Sequence, residues 1–289
     1  MITGDIHILH QSEFYQVNDF KCHCDRCSVS QVEYDRSMFI SFVRKGFFEY
    51  QTFRRNDELH VGRMLISKPE YEHTTRHIDS QPDLTTSFEF TTEFFRLIKE
   101  QYASRAGWFL NNNDIHSLLL YRNAQLDLLH HRIFRMLATR ETSGLQIDEL
   151  VMELVESVMT LISGSPAEVT PVTDSLKRFH LVTVESARDY ILGHFSENIS
   201  LHQLAQYCHV SPFHFSRIFK SIMNASPHQY LTDIRLNNAK ILLTSTEQPI
   251  TDIAFACGYN SLEHFTTAYR RKFKTNPGRQ RAGKMIVNV

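Results

Sequence analysis

Along the first ninety residues, apolar and aromatic side chains come in short runs separated by turn residues. MFISFVRKGFFEYQTF and HVGRMLIS are rich in β-branched and aromatic residues and are broken by Gly46, Asn56-Asp57, Gly62 and Pro69. Such runs predict several short strands between about Ile6 and Phe90, forming a small barrel or sandwich with an interior. The period changes at Thr91. TTEFFRLIKEQYA opens with threonines able to cap a helix and sets Phe94, Phe95, Leu97 and Ile98 on one broad face. Two longer helical stripes follow. The first is Leu126, Leu129, Ile133 and Leu137. The second is Ile147, Leu150, Val151, Leu154, Val155 and Val158, with Asp148, Glu149, Glu153 and Glu156 elsewhere on the helix. Either the stripes cover the barrel, or one of them packs against a two-fold mate.

The segment SGSPAEVTPVTDS, Ser163 to Ser175, has two prolines, a glycine and no apolar period, and reads as a linker. It divides the chain into an N-terminal domain (1–162), a linker (163–175) and a helical C-terminal domain (176–289). The charge balance changes at the same place. From Leu176 onward there are fourteen Lys and Arg against seven Asp and Glu, a net of +7, while residues 1–175 carry a net of −8. A basic domain suits phosphate, and the acidic one would repel it. The hydrophobic fraction of 42% is ordinary for a soluble protein. No apolar run approaches a membrane span, and the start MITGDIHILHQSEF lacks the pattern of a secretory signal, so a cytoplasmic protein with no membrane partner is expected.

The helical part contains one pattern twice: SLHQLAQYCHVSPFHFSRIFK from Ser200 and ITDIAFACGYNSLEHFTTAYRR from Ile250. In the first copy Leu201, Leu204, Ala205 and Cys208 share a face, predicting a short helix that buries them. Ser211 at N-cap and Pro212 at N1 start the next helix, because serine accepts from an unpaired N–H and proline has none to lose. Its buried stripe is Phe215, Ile218, Phe219 and Ile222. The second copy aligns at an offset of 49 before the turn (Leu204 with Ile253, Ala205 with Ala254, Cys208 with Cys257) and 50 after it (Ser211 with Ser261, Phe215 with Phe265, Phe219 with Tyr269, Pro227 with Pro277). A helix from about Pro227 to Leu243 joins the copies. At 1.5 Å per residue it is roughly 25 Å long, which suits two readers in successive major grooves.

From Val184 to Arg281 the sequence resembles the AraC/XylS family of bacterial transcription regulators, most clearly in ISLHQLAQYCHVSPFHFSRIFK, PHQYLTDIRLNNAKILL and PITDIAFACGYNSLEHFTTAYRRKFKTNPGRQR. The resemblance implies that each motif inserts its second helix into a major groove. Carried over, the reading positions are Phe213, His214, Ser216 and Arg217, with Lys220 beside them, and Leu262, Glu263, Thr266 and Thr267, with Arg270 and Arg271 beside them. Arg217 has the fork to hold guanine, Phe213 and Leu262 suit a thymine methyl, and Glu263 can accept from cytosine. The second helix carries no long basic residue at its reading positions and is expected to position more than it reads, with Arg270, Arg271, Lys272 and Lys274 towards phosphates or solvent. The N-terminal runs CHCDRC, FISFVRKGFFEY and PEYEHTTRH are similar to those of family members with a cupin-like domain. The implied fold is multidomain α+β: an N-terminal cupin-like β-barrel with accessory helices for sensing and dimerisation, and a C-terminal all-α domain with two helix-turn-helix motifs. The implied partners are double-stranded DNA, a second copy of the chain, RNA polymerase and an unidentified small-molecule effector, with activation the family's commoner outcome.

The five cysteines are odd in number and are not spread like a disulfide framework. Cys208 and Cys257 occupy matching apolar positions and read as small buried residues. Cys22, Cys24 and Cys27 admit three readings: a zinc site of Cys24 and Cys27 completed by His73 and His77, a redox-sensing thiol set, or reduced cysteines with no special task. Cys22 could replace one of the four ligands. Of the sixteen histidines most are expected at the surface, His130 and His131 included. A metal-dependent enzyme with an accessory DNA-binding half is the rival class. It would need an open metal position near a carboxylate such as Glu70 or Glu72, and the chain has no nucleophile triad order, phosphate-cradling glycine loop or H-E-x-x-H motif.

Overall fold

The computed structural model describes residues 4–23, 29–52, 55–77, 82–139, 144–164 and 175–287. Its contacts divide the chain into two units, Met1–Glu185 with Ile222–Asn224, and Ser186–Ser221 with Ala225–Val289.

Among the described residues the first unit holds ten strands and three whole helices. The strands are β1 (Gly4–Gln11), β2 (Tyr15–Cys22), β3 (Glu33–Asp35), β4 (Met38–Lys45), β5 (Phe48–Thr52), β6 (Arg55–Leu59), β7 (Arg63–Ser67), β8 (Tyr71–His77), β9 (Leu84–Phe90) and β10 (Ser117–Tyr121). The helices are α1 (Thr92–Leu110), α2 (Ala124–Thr139) and α3 (Gly144–Ser163). A six-stranded sheet runs β1-β2-β9-β4-β7-β10, and a four-stranded sheet runs β3-β8-β5-β6.

Alternation decides the two faces of the larger sheet. Tyr15 and Val17, Met38, Ile40 and Phe42, Met64 and Ile66, and Phe88 and Phe90 form one face and are buried with the helices. The residues between them, Asn18 and Phe20, Phe39 and Ser41, Leu65, and Thr85, Ser87 and Glu89, line an interior between the sheets. The strand-and-interior expectation therefore holds, and the helices explain why the other face is mostly apolar.

Both helical stripes are spent on this core. Leu126, Leu129 and Ile133, and all six residues from Ile147 to Val158, are buried against it. Among the described residues the large apolar side chains these helices expose are Leu97, Trp108 and Leu145. Thr91 caps α1, accepting from the Phe94 amide, but only Phe95 and Ile98 of the expected face are buried while Leu97 stays exposed.

Three features go beyond the sequence reading. The first is β10, assigned no element from the sequence; SLLLY pairs with β7 from Ser117↔Ser67 to Tyr121↔Arg63, and a five-residue apolar run alone cannot be assigned to strand or helix by its period. The second is His130, which is buried and stacked on Phe42 with ring centroids 4.6 Å apart rather than solvated. The third is Lys68, buried with its ammonium donating to the carbonyls of Phe109 at 3.0 Å and Asn112 at 2.5 Å. It satisfies carbonyls at the end of α1 that have no partner in the helix, and burial pushes it down to about 8.

The segment read as a linker lies between the last residue of α3, Ser163, and the first of the next helix, Ser175; residues 165–174 are outside the described ones. From there the chain is helical: α4 (Ser175–His194), α5 (Leu201–Tyr207), α6 (Pro212–Met223), α7 (Pro227–Ser245), α8 (Ile250–Ala256), α9 (Leu262–Phe273) and α10 (Pro277–Val287). Among the described residues no helix is long and apolar enough to cross a membrane.

Candidate nucleic-acid interface

The repeat seen in the sequence is a repeat in backbone geometry. After α5 the chain turns through His209 at φ 55°, and after α8 through Gly258 at φ 80°. In both turns the same hydrogen bonds close the helix end: Val210 N–H to Ala205 O and Tyr259 N–H to Ala254 O, each 3.0 Å. A left-handed residue is required there, and only the second copy uses glycine for it. Ser211 and Ser261 then cap the next helices, accepting from the amides of His214 at 3.3 Å and His264 at 3.2 Å. Those helices are followed by Asn224 at φ 55° and Lys274 at φ 58°, and new helices begin at Pro227 and Pro277.

Each second helix is amphipathic in the expected register. Phe215 and Phe219 in α6, and Phe265 and Tyr269 in α9, are fully buried. Ala205 and Ala254 are also fully buried, as helices meeting at close range require. Leu201 departs from expectation at 42% exposed, and Cys208 is only half-buried. Leu201 is the first residue of a seven-residue helix, and side chains tilt back towards a helix's N-terminus, so this one overhangs the end.

The carried-over reading positions face water. Phe213 is 83% exposed, Arg217, Lys220, Leu262, Glu263 and Thr267 are exposed, and His214, Ser216 and Thr266 are half-buried. Phe213 and Arg217 are four residues apart and so share one face of α6. Arg270 and Arg271 are exposed in the last turn of α9. Lys272 is not available as expected: its ammonium is bound to the Asp233 carboxylate of α7. Arg235 and Arg281 are also spent internally, on the carbonyls of Phe195 and Glu197 and of Gln248. The joining helix α7 has nineteen residues, two more than expected, or roughly 28 Å. Its start is fixed by a capping box, with Ser226 accepting from the Gln229 amide at 3.2 Å and the Gln229 side chain accepting from the Ser226 amide at 3.0 Å.

The N-terminal interior is a second candidate site, a cavity of about 310 Å³ between the two sheets. Both histidines of the expected zinc set line it, but they do not act together. His73 Nδ1 lies 3.1 Å from Asp35, and its ring stacks on Tyr50 at 4.5 Å. His77 Nε2 lies 2.7 Å from Asp83, and its Nδ1 is 3.8 Å from Cys22 Sγ. Cys24 and Cys27 lie outside the described residues. The donors that converge are Cys22, His77 and Asp83, all buried and within 4.8 Å of one another. Cys22 is in a disulfide whose partner is outside the described residues. Glu70 and Glu72 are exposed and do not line the cavity; its carboxylates are Glu33, Asp83 and Glu89. Sequence reasoning missed Asp83 and Glu89. For Glu89 the signal was present: LTTSFEF alternates Thr85, Ser87 and Glu89 with Thr86, Phe88 and Phe90, which implies a polar interior opposite an apolar core.

Known proteins resemble mainly the helical part. A helix-turn-helix domain family matches residues 204–283. The HTH-type transcriptional regulator ArgR of Pseudomonas aeruginosa is 30% identical over 141 residues, 49% of this chain and 41% of ArgR. The probable transcriptional regulator LumQ of Photobacterium leiognathi is 28% identical over 154 residues, 53% of this chain and 60% of LumQ. The chain thus spans less than two thirds of either relative. A solved transcriptional regulator of Chromobacterium violaceum, described by its AraC-type DNA-binding domain, is 32% identical, covers 36% of this chain and 92% of its own, and has a TM-score of 0.34.

Proposed function

We propose that this chain is a sequence-specific DNA-binding transcription regulator of the AraC/XylS type, through its C-terminal helix-turn-helix domain. In this reading it works in the cytoplasm as an effector-responsive activator and a homodimer. The N-terminal cavity takes a small molecule, the occupied state changes how two copies present their DNA-binding units, and the bound dimer engages RNA polymerase. The observation that carries the reading is the doubled motif. Two capped second helices at a fixed offset hold their apolar faces inward and leave Phe213, Arg217, Leu262, Glu263 and Thr267 to the surface. Surface side chains of mixed chemistry on a helix of this motif are what base edges in a major groove require.

The test is selection from sheared genomic DNA of the source organism by the purified full chain. Recovery of a small set of promoter fragments is expected, each with two contacted blocks about one helical turn apart. Uniform recovery of all fragments would sink the reading.

A metal ion enters this reading with Cys22 reduced. Cys22, His77 and Asp83 then offer zinc a thiolate, an imidazole and a carboxylate, whereas a disulfide sulfur has no thiolate to give. Protein purified under reductant is expected to hold close to one equivalent of zinc and to release it on oxidation. Less than about half an equivalent in the reduced protein, or full retention by Cys22→Ser, ends the assignment.

A further inference from the structure

We propose that the cavity between the two sheets binds a small organic ammonium ion, with Glu89 as its counter-charge and aromatic rings around the cation. This deepens the effector reading above and rests on it.

The cavity, at about 310 Å³, is of the size that takes a small molecule. Among the described residues its wall contains Phe20, Phe39, Phe48 and Tyr50, two histidines, three carboxylates, and neither Lys nor Arg. Sorting the carboxylates by what already holds them leaves one over. Asp83 is 2.7 Å from His77 Nε2, within ion-pair reach. Glu33 is 3.8 Å from His73 and half-exposed. Glu89 has only an amide: its Oε1 accepts from Asn18 Nδ2 at 2.8 Å. Asn18 is itself aimed, because its Oδ1 accepts from Gln16 Nε2 at 2.6 Å, which leaves the amide nitrogen facing Glu89. The chain of contacts thus presents Glu89 as an acceptor.

Among the described residues no basic side chain bears on Glu89. Burial, together with the charge of Asp35, pushes its pKa up against the pull of Asn18. A half-buried carboxylate with no cation lacks the partner that would make its ionised form comfortable. A ligand ammonium supplies it through charge-assisted hydrogen bonds, and ring faces nearby add their own attraction for a cation. The same wall disfavours anions: among the described residues a carboxylate or phosphate ligand would meet three acids and no Arg or Lys, and both histidines already lie against carboxylates. A neutral hydroxyl ligand finds hydrogen-bond partners in Asn18, Ser41 and Ser87 but leaves Glu89 without a counter-charge.

The test uses the full chain and matched probes: phenethylamine and cyclohexylamine, phenethyl alcohol and cyclohexanol, hydrocinnamate and cyclohexanecarboxylate. Thermal shift and calorimetric titration are expected to show the amines binding at least about tenfold more tightly than the alcohols, and the acids not at all. Glu89→Gln should erase the amine advantage and leave alcohol affinity unchanged, while Glu33→Gln leaves the preference intact. Where the glutamine variant lowers the unliganded midpoint, Glu89→Asp, which keeps the charge but withdraws it, should weaken amines selectively. Alcohols binding as well as amines, acids binding more tightly, or amine affinity surviving both Glu89 variants would overturn the proposal. Stabilisation by a metabolite extract but by none of the amines overturns the ammonium class alone. Stabilisation by neither probes nor extract removes the effector reading as well.

Discussion

Asp127→Ala is expected to destabilise the N-terminal unit by about 3–5 kcal/mol, because it strands a buried guanidinium. Arg122 and Asp127 form an ion pair in which both side chains are fully buried. Arg122 also donates through Nη1 to the carbonyls of Val43 at 2.9 Å and Val61 at 3.1 Å, and its guanidinium lies 4.9 Å from the centre of the Phe42 ring. The pair joins three things: the residue after β10, the first turn of α2, and the strand that walls both core and cavity. Asn123 caps the helix between the two partners, accepting from the Leu126 amide at 2.9 Å, so the carboxylate sits where a helix favours negative charge. Removing the carboxylate leaves the buried cation in place without the Asp127 charge that it pairs with. Removing both, as in Arg122→Met with Asp127→Leu, should cost much less, since a buried pair often breaks even against apolar residues of similar volume. The chain's one tryptophan, Trp108 on α1, lies in this unit, so urea unfolding followed by its fluorescence reads this unit rather than an average of two. An Asp127→Ala loss below about 1 kcal/mol, or a double variant worse than the single one, would show that the pair is not what holds the junction.

How much of this was legible beforehand depended on whether the information was local. The C-terminal unit is built from short-range signals, and nearly all of it could be read: serine caps, prolines at N1, the periodic apolar stripes, and an internal repeat whose offset changes by one at the turn. That one-residue difference absorbs the unequal turns in which His209 and Gly258 take the same left-handed role. The exceptions concern ends and partners. Leu201 overhangs its helix, and Lys272 is claimed by Asp233, 39 residues away in the chain and invisible to spacing. In the N-terminal unit the presence of strands before Thr91 could be read, but β10 and the strand order could not. β2 and β4 both pair with β9, so Asn18 stands opposite Ser87 and Ser41 stands opposite the same residue from the other side. Loop closure over such separations leaves no periodic trace in sequence. The cavity acids come together only through that pairing, which is why a zinc set chosen from C-x-x-C spacing passed over Asp83. His130 was misjudged for a related reason: its neighbour His131 suggested a solvated pair, whereas Phe42 from a distant strand supplies the face on which it stacks.

On the DNA side, Arg217→Ala is expected to weaken binding to the specific site by about 1–3 kcal/mol and to relax preference at one base pair. The asymmetry of the two second helices sets this expectation. α6 presents Arg217 one turn beyond Phe213, whose ring is 83% exposed and has no apolar cover in the free chain. A guanidinium fork can hold guanine through both its major-groove acceptors, and a neighbouring ring can cover a thymine methyl. α9 presents Leu262, Glu263, Thr266 and Thr267 at the matching positions and keeps its arginines, Arg270 and Arg271, for the last turn. Those two suit phosphate, so Arg270→Ala should weaken all sequences alike and lower the salt dependence by about one counterion, leaving base preference unchanged. Binding selections with the wild type and the two variants, run at matched salt, separate the outcomes. A relaxed base confined to the block contacted by α6 in Arg217→Ala is the expected result. An unchanged preference with uniformly weaker binding would mean that Arg217 rests on phosphate, and that the reading in this helix is done by Phe213, His214 and Ser216.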